Sequence, residues 1–307
     1  MGRMSADLRR QARTLYDEAT ELVLAGRLSE ALPVCRESVE AHRRLADGHD
    51  EHLPDLAIAL QSLSAVLQWS GRLPECVPSL REELEIRRRL AADDDPELRR
   101  ELARVLSILA TALVSAGDGD EATSVAADSV EICRELYALD PAAYRESLGH
   151  SLTDMVRVYV GCELFEYADT VAGDAAETWR GADEHLVHLA EVLHLHAFAL
   201  SQIGENEAAL VRLGESIEIY QGLGEESRPQ VAGGLLAYGR LLGVAGRTRE
   251  ATRCLVKALV LAERFGHEET AEGAVGLLRD AYHADRKAMS HEWKTATGTK
   301  VPRWLRG

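Results

Sequence analysis

Apolar residues along the chain recur at helical spacing, in blocks separated by a short polar turn. The turn is readable six times: GRLSEA at Gly26–Ala31, GRLPEC at Gly71–Cys76 and GDGDEA at Gly117–Ala122, then ELFEYA at Glu163–Ala168, GENEAA at Gly204–Ala209 and GRTREA at Gly246–Ala251. The last residues of the motifs are separated by 45, 46, 46, 41 and 42 positions. A period of that length with 3.6-residue patterning on both sides of the turn predicts an array of helical hairpins. Each hairpin reads as a helix A, the turn, a helix B and a connection. Glycine suits the turn because it takes positive φ without a side-chain clash, and the small residue that ends the motif is where helix A crosses closely.

Six units follow: 5–46, 54–91, 96–139, 141–179, 182–221 and 227–265. A capping helix over 268–289 covers the open end, as a terminal repeat must, and a basic tail over 291–307 carries Trp293, Trp304, Lys294, Lys300, Arg303 and Arg306. The Asp93–Pro96 run marks a helix start, with acids at the N-terminal dipole and proline in the first turn. In the fourth unit Glu163 stands where glycine is expected and Gly161 lies two residues early, which predicts a distorted turn or a kink there. The expected fold is therefore all-α.

Composition agrees. Hydrophobic residues make up 46% and aromatic residues only 5%, with eight prolines, the balance of stacked helices. A formal net charge of −16 disfavours general binding to nucleic acid or anionic membrane, and no apolar run reaches the length of a membrane span. The N-terminal MGRMSADLRRQ lacks an apolar signal core, so the expected location is cytoplasmic. Five cysteines without a CxxC pair read as buried reduced thiols.

Chemistry is sparse. His188, Glu191 and His194 in the segment His185–His196 wind about 60° per step round a helix, so they do not converge readily on one tetrahedral ion. His196 reads as a core histidine donating to a carbonyl or a neighbouring side chain. The His42, His49 and His52 group spans a loop. Glu82 and Glu83, like Asp93–Asp95, read as acids on solvated faces or helix starts. No nucleophile sits on a strained turn, and GLGEES at Gly222–Ser227 has no preceding strand that would make it a phosphate loop. The expectation is a non-enzyme without cofactor or metal.

The alternation of an A helix ending L-x-x-x-G-R with E-A and a B helix resembles the tetratricopeptide repeat. Leu60, Leu63, Leu67, Gly71 and Cys76 occupy its large, glycine and small positions, as do Leu106, Leu109, Ala110, Leu113, Gly117 and Ala122. The long B helices resemble those of kinesin light chains and of arrays attached to bacterial NTPase regulators. The resemblance implies a right-handed α-solenoid whose A helices line a concave groove. Carried over position by position, it names Arg13 and Tyr16, then Gln61, Gln68 and Trp69, then Arg104, Ser107 and Thr111. It continues with His150 and Arg157, with Glu191, His194 and Phe198, and with Arg240. Basic residues outnumber acidic ones in this set, which implies either a groove for an acidic protein or peptide segment or arginines paired with acids on neighbouring helices. Tyr16, Thr20, Ser62 and Ile108 stand where relatives that clamp chaperone C-termini have asparagine and lysine, so a co-chaperone role is not implied. The resemblance points to a scaffold or regulatory adaptor. The alternative is a sensor whose array changes curvature when a peptide or small molecule binds, with Gly161–Glu163 as its hinge; ranked below both is a metalloprotein or enzyme using the His185–His196 segment.

Overall fold

The computed structural model describes residues 2–91, 95–180 and 183–306. Asp93 and Asp94 of the expected helix start, and Ala182 at the start of the fifth unit, lie outside the described residues. Fourteen α-helices and no strand occur among the described residues. The chain divides into two compact units, Met1–Glu163 and Leu164–Gly307.

The first unit contains α1 (Gly2–Leu24), α2 (Leu28–Ala46), α3 (Leu53–Trp69), α4 (Val77–Leu90), α5 (Pro96–Ala116), α6 (Gly119–Leu139) and α7 (Pro141–Gly161), each packed against the next. The second contains α8 (Phe165–Trp179), α9 (Leu186–Gln202), α10 (Asn206–Gly222), α11 (Arg228–Val244), α12 (Thr248–Phe265), α13 (Glu268–Ala284) and α14 (Arg286–Thr297), packed in the same consecutive way. The all-α architecture of helical hairpins expected from the repeat is present in both. Asp95 caps α5 by accepting from the backbone N–H of Glu97 and Leu98, so the legible part of the DDDP signal is a true helix start. One B helix begins late. Leu73–Cys76 forms a 3₁₀ turn and α4 starts at Val77; Pro33 stands in the register of Pro78 within the unbroken α2, and the second turn carries Pro74 in addition.

The turns repeat in atomic detail. Gly26, Gly71, Gly117, Gly204 and Gly246 all have φ between 70° and 86°. In each case the next residue donates its N–H to the carbonyl of the residue five before it, always a leucine: Leu22, Leu67, Leu113, Leu200 and Leu242, at 2.9 Å. This left-handed cap satisfies the carbonyls that a helix end leaves open. Where the turn reads G-R-x-x-E, the arginine also forks onto the glutamate: Arg27 on Glu30, Arg72 on Glu75 and Arg247 on Glu250. The small residue that follows is buried every time, as Ala31, Cys76, Ala122, Ala168, Ala209 and Ala251.

The fourth turn solves the same problem with the wrong residue. Glu163 itself adopts φ 59°, the one non-glycine residue with positive φ among the described residues, and its N–H donates to Val160. Gly161 has a separate purpose. A Cβ there would lie 2.5 Å from Val114 Cγ1, so this glycine permits the close approach of α7 to α5.

Two expectations for the C-terminal end change. The single capping helix over 268–289 is broken at Asp285, which leaves helical geometry and accepts from the N–H of Lys287 and Ala288 to start α14. The tail is also not without helical structure, since α14 runs to Thr297. Met289, Trp293, Val301 and Leu305 are buried in the same core as Leu259 and Leu278, Trp304 meets Trp293 edge to face, and Arg279 donates to the Trp304 carbonyl.

Two predictions follow from the turns. Replacing Glu163 with glycine removes a left-handed side chain and raises stability by roughly 1 kcal/mol, measured as a higher urea midpoint; an unchanged midpoint would show that no strain is held there. Ala122→Leu overpacks the hairpin crossing and costs about 1–3 kcal/mol, read as a loss of thermal midpoint, and a neutral result would mean the crossing tolerates bulk.

Candidate binding face of the A helices

The A helices of the first unit are α1, α3, α5 and α7, and their residues outside the core carry the polar and aromatic positions singled out above. The structure separates these into three groups. Arg13 and Tyr16 line a hollow of about 480 Å³ between α1, α2 and α3, together with Arg9, Asp17, His42, Leu45, Asp55 and Ile58. The Arg13 side chain is 86% exposed and touches Asp17 only at 4.0 Å. Trp69, at the C-terminal end of α3, is 61% exposed, and Gln68 beside it is half-buried.

The second group is internal. Glu83 on α4 is fully buried. Its Oε1 accepts from Arg104 Nη2 at 2.7 Å, and Arg87 lies 3.5 Å away. Arg104 donates with its Nε to Glu101, and Arg87 reaches Glu101 and the side-chain Oε1 of Gln61. Glu83 was expected on a solvated face; it is instead the buried hub of this network. Burial pushes its carboxyl above the ordinary range, and Arg104 and Arg87 pull in the opposite direction. Removing one partner of such a group leaves an uncompensated buried charge. The signal was present in the sequence: Leu80, Glu83, Leu84 and Arg87 share one helical stripe, and the leucines of that stripe are core.

The third group lines a cavity of about 330 Å³ between α5, α6 and α7, where Arg104, Ser107 and His150 meet Arg100, Glu146 and Asp154. Arg157, from the same helix as Asp154, is paired with it. Burial raises the Asp154 carboxyl, against the pull of Arg157 and of the Ser107 hydroxyl. Ser107 nevertheless makes no well-formed hydrogen bond. Thr111 spends its hydroxyl on the Ile108 carbonyl.

In the second unit, Phe198 on α9 is exposed at the edge and meets Phe165 edge to face at 6.1 Å. Glu191 and His194 are half-buried on the same helix, and burial lowers the His194 imidazole below its usual range. Arg240 on α11 is exposed. The remaining histidines of the segment serve packing. His188 stacks on buried Trp179 at 4.8 Å and His185 tilts onto the same indole. His196 donates from Nε2 to Asp169 at 2.7 Å, the side-chain contact expected of it. His42 of the N-terminal group is buried and donates from Nδ1 to the Ser38 carbonyl.

All five cysteines are free. Burial pushes the Cys76 and Cys133 thiols up to about 11, which disfavours their thiolates.

No family model matches the sequence, and no curated protein matches it. Solved structures do. The apo form of RapI aligns at 14% identity over 94% of this chain and 96% of that one, with a TM-score of 0.67. A putative kinesin light chain of Podosopora anserina with nearly identical TPR-like repeats aligns at 19% identity over 70% and 95%, with a TM-score of 0.54. A Rap protein complexed with competence and sporulation factor aligns at 12% identity over 96% and 97%, with a TM-score of 0.51. Together with the recurring left-handed turns and buried small residues, these likenesses establish the fold of the chain as that of tetratricopeptide-repeat proteins.

Proposed function

We propose that the protein is a non-catalytic cytoplasmic adaptor that holds a protein or peptide segment against its A helices. The observation that carries this reading is the exposed aromatic and basic surface of α1 and α3. There Trp69 stands 61% exposed, and Arg13 and Tyr16 border a hollow open to a side chain of a partner. Aromatic and arginine residues are the types that dominate binding energy at interfaces. The free cysteines fit a reducing compartment. No helix among the described residues is long and apolar enough to cross a membrane.

The partner chemistry follows from which arginines remain available. Arg104 and Arg157 are engaged by Glu83, Glu101 and Asp154, so their first task is internal. Arg13 on α1 is exposed and is the proposed contact for acidic groups of a partner on the first unit, with Tyr16 and Trp69 as apolar anchors; on the second unit Arg240 and Phe198 are exposed and are proposed as contacts of that unit by itself. The Rap protein that shares this fold is complexed with a factor, which supports a regulatory segment as the ligand class.

The test is capture of partners from native cytosol by wild type beside the double variant Arg13→Glu, Trp69→Ala. The expected result is a partner retained by wild type and weakened about tenfold or more by a variant with unchanged thermal midpoint. Its affinity should also fall between low and high salt, because exposed charge contacts are screened. A partner held equally by both proteins, or a salt-independent complex, would contradict the reading.

A further inference from the structure

The C-terminal end of the second unit collects positive charge in an acidic chain. From Arg279 to Arg306 the sequence holds seven lysines and arginines and three acids, whereas the whole chain has a formal net charge of −16. Two of those acids are spent inside the fold. Asp285 caps α14, and Glu292 is buried and takes Arg253 of α12. All seven basic side chains are exposed, and none of them forms an ion pair among the described residues. Arg27, Arg72 and Arg247 differ in this respect, since each is forked onto a glutamate.

The fold fixes part of this charge without neutralising it. Arg279 of α13 donates from Nε and Nη2 to the Trp304 carbonyl, at 3.2 and 3.0 Å, and Arg306 turns the same edge to the Val301 carbonyl. A guanidinium has five N–H donors, so each arginine keeps three for a partner. A carbonyl, unlike a carboxylate, leaves the full positive charge in place. Both side chains are held before anything binds, which lowers the ordering cost of binding. Trp304 belongs to the same spot: its carbonyl takes Arg279, its indole meets Trp293 at 6.4 Å, and it is still 46% exposed. Val301 and Leu305 are buried in the core of this unit, so the patch is part of the folded structure.

We infer that this patch docks a short acidic protein segment, with a few carboxylates beside an aromatic or large apolar side chain. The carboxylates take the free guanidinium edges of Arg279 and Arg306 and the charge of Arg303. The apolar side chain packs on the exposed part of Trp304. Arginine and tryptophan are the residue types that carry most binding energy at interfaces. Charge selects against longer polyanions. Exposed charges act over about 8 Å at physiological ionic strength, so a nucleic acid or an anionic membrane that extends past the patch meets the acidic remainder of the chain. A short segment stays inside the basic zone. The patch uses none of Arg13, Tyr16 and Trp69, and it stands or falls separately from the α1–α3 surface.

The test is fluorescence anisotropy of the full chain with the labelled peptide Glu-Glu-Phe-Glu-Glu at low salt. Its analogue Gln-Gln-Phe-Gln-Gln, a labelled single-stranded DNA and phosphatidylserine vesicles serve as controls. The acidic peptide should saturate with a Kd below about 1 mM, and the glutamine analogue should bind about tenfold or more weakly. Added salt should weaken the acidic peptide. The double variant Lys300→Glu, Arg303→Glu changes two exposed side chains that make no hydrogen bond or ion pair among the described residues. It should keep the thermal midpoint and weaken the peptide about tenfold or more. Arg13→Glu should leave this binding unchanged, which separates the patch from the surface on the first unit. The inference is overturned if the acidic peptide does not saturate in that range or if the glutamine analogue binds as well. It is also overturned if the double variant binds like wild type, if Arg13→Glu weakens binding equally, or if DNA or vesicles bind in preference to the peptide.

Discussion

The left-handed turn between helix A and helix B is the constraint on which the rest depends. It closes the A helix by a bond from the residue after the turn to a leucine five before it. It also sets the B helix so that its first turn presents a residue no larger than alanine or cysteine to the crossing. Once that register is fixed, the other faces follow. Leucines of helix A point into the hairpin, and the residues between them are left on the opposite face, where polar and aromatic side chains can be carried without cost to the core. At the fourth turn Glu163 takes the same conformation with a side chain that disfavours it. Geometry there outranks local preference.

The polar face so created has two duties, and the structure divides them by burial. Toward the interior, Arg104 neutralises Glu83, and Arg87 backs the same carboxylate from its own helix. A fully buried acid with guanidiniums on two helices ties α4 to α5 by a contact that shape alone would not specify. Toward solvent, Arg13 and Trp69 have little to hold them in the fold. Of the basic residues singled out on the A helices, Arg104 of α5 and Arg157 of α7 are engaged in internal pairing, whereas Arg13 of α1 and Arg240 of α11 stay exposed.

Much of the architecture was legible because its determinants are local. The turn glycines, the small residue five positions later and the leucine spacing are all read along one stretch of chain, and helices such as Leu28–Ala46, Pro96–Ala116 and Pro141–Gly161 fall where the pattern puts them. What was not legible depends on a second helix. Glu83 reads as one of two adjacent acids until its position on the Leu80–Leu84 stripe is matched to Arg104, twenty-one residues on. Gly161 reads as a displaced turn residue because Val114, which needs the space, is on α5. The C-terminal tail lacks periodicity because its buried residues, Val301 and Leu305, seat in a core built by α12, α13 and α14. The cavity residues share this limit: Ser107 is ordinary on its own helix and distinctive only opposite Asp154.

The claim that the polar A face is first an internal device is tested most directly by a double-mutant cycle on Glu83 and Arg104, read by chemical denaturation. Glu83→Gln, Arg104→Gln and the double variant are compared with wild type. The account predicts that the double variant loses less stability than the sum of the two single losses, with a coupling of about 1–3 kcal/mol. Additive losses would contradict it, and would return Arg104 to the set of arginines available to a partner.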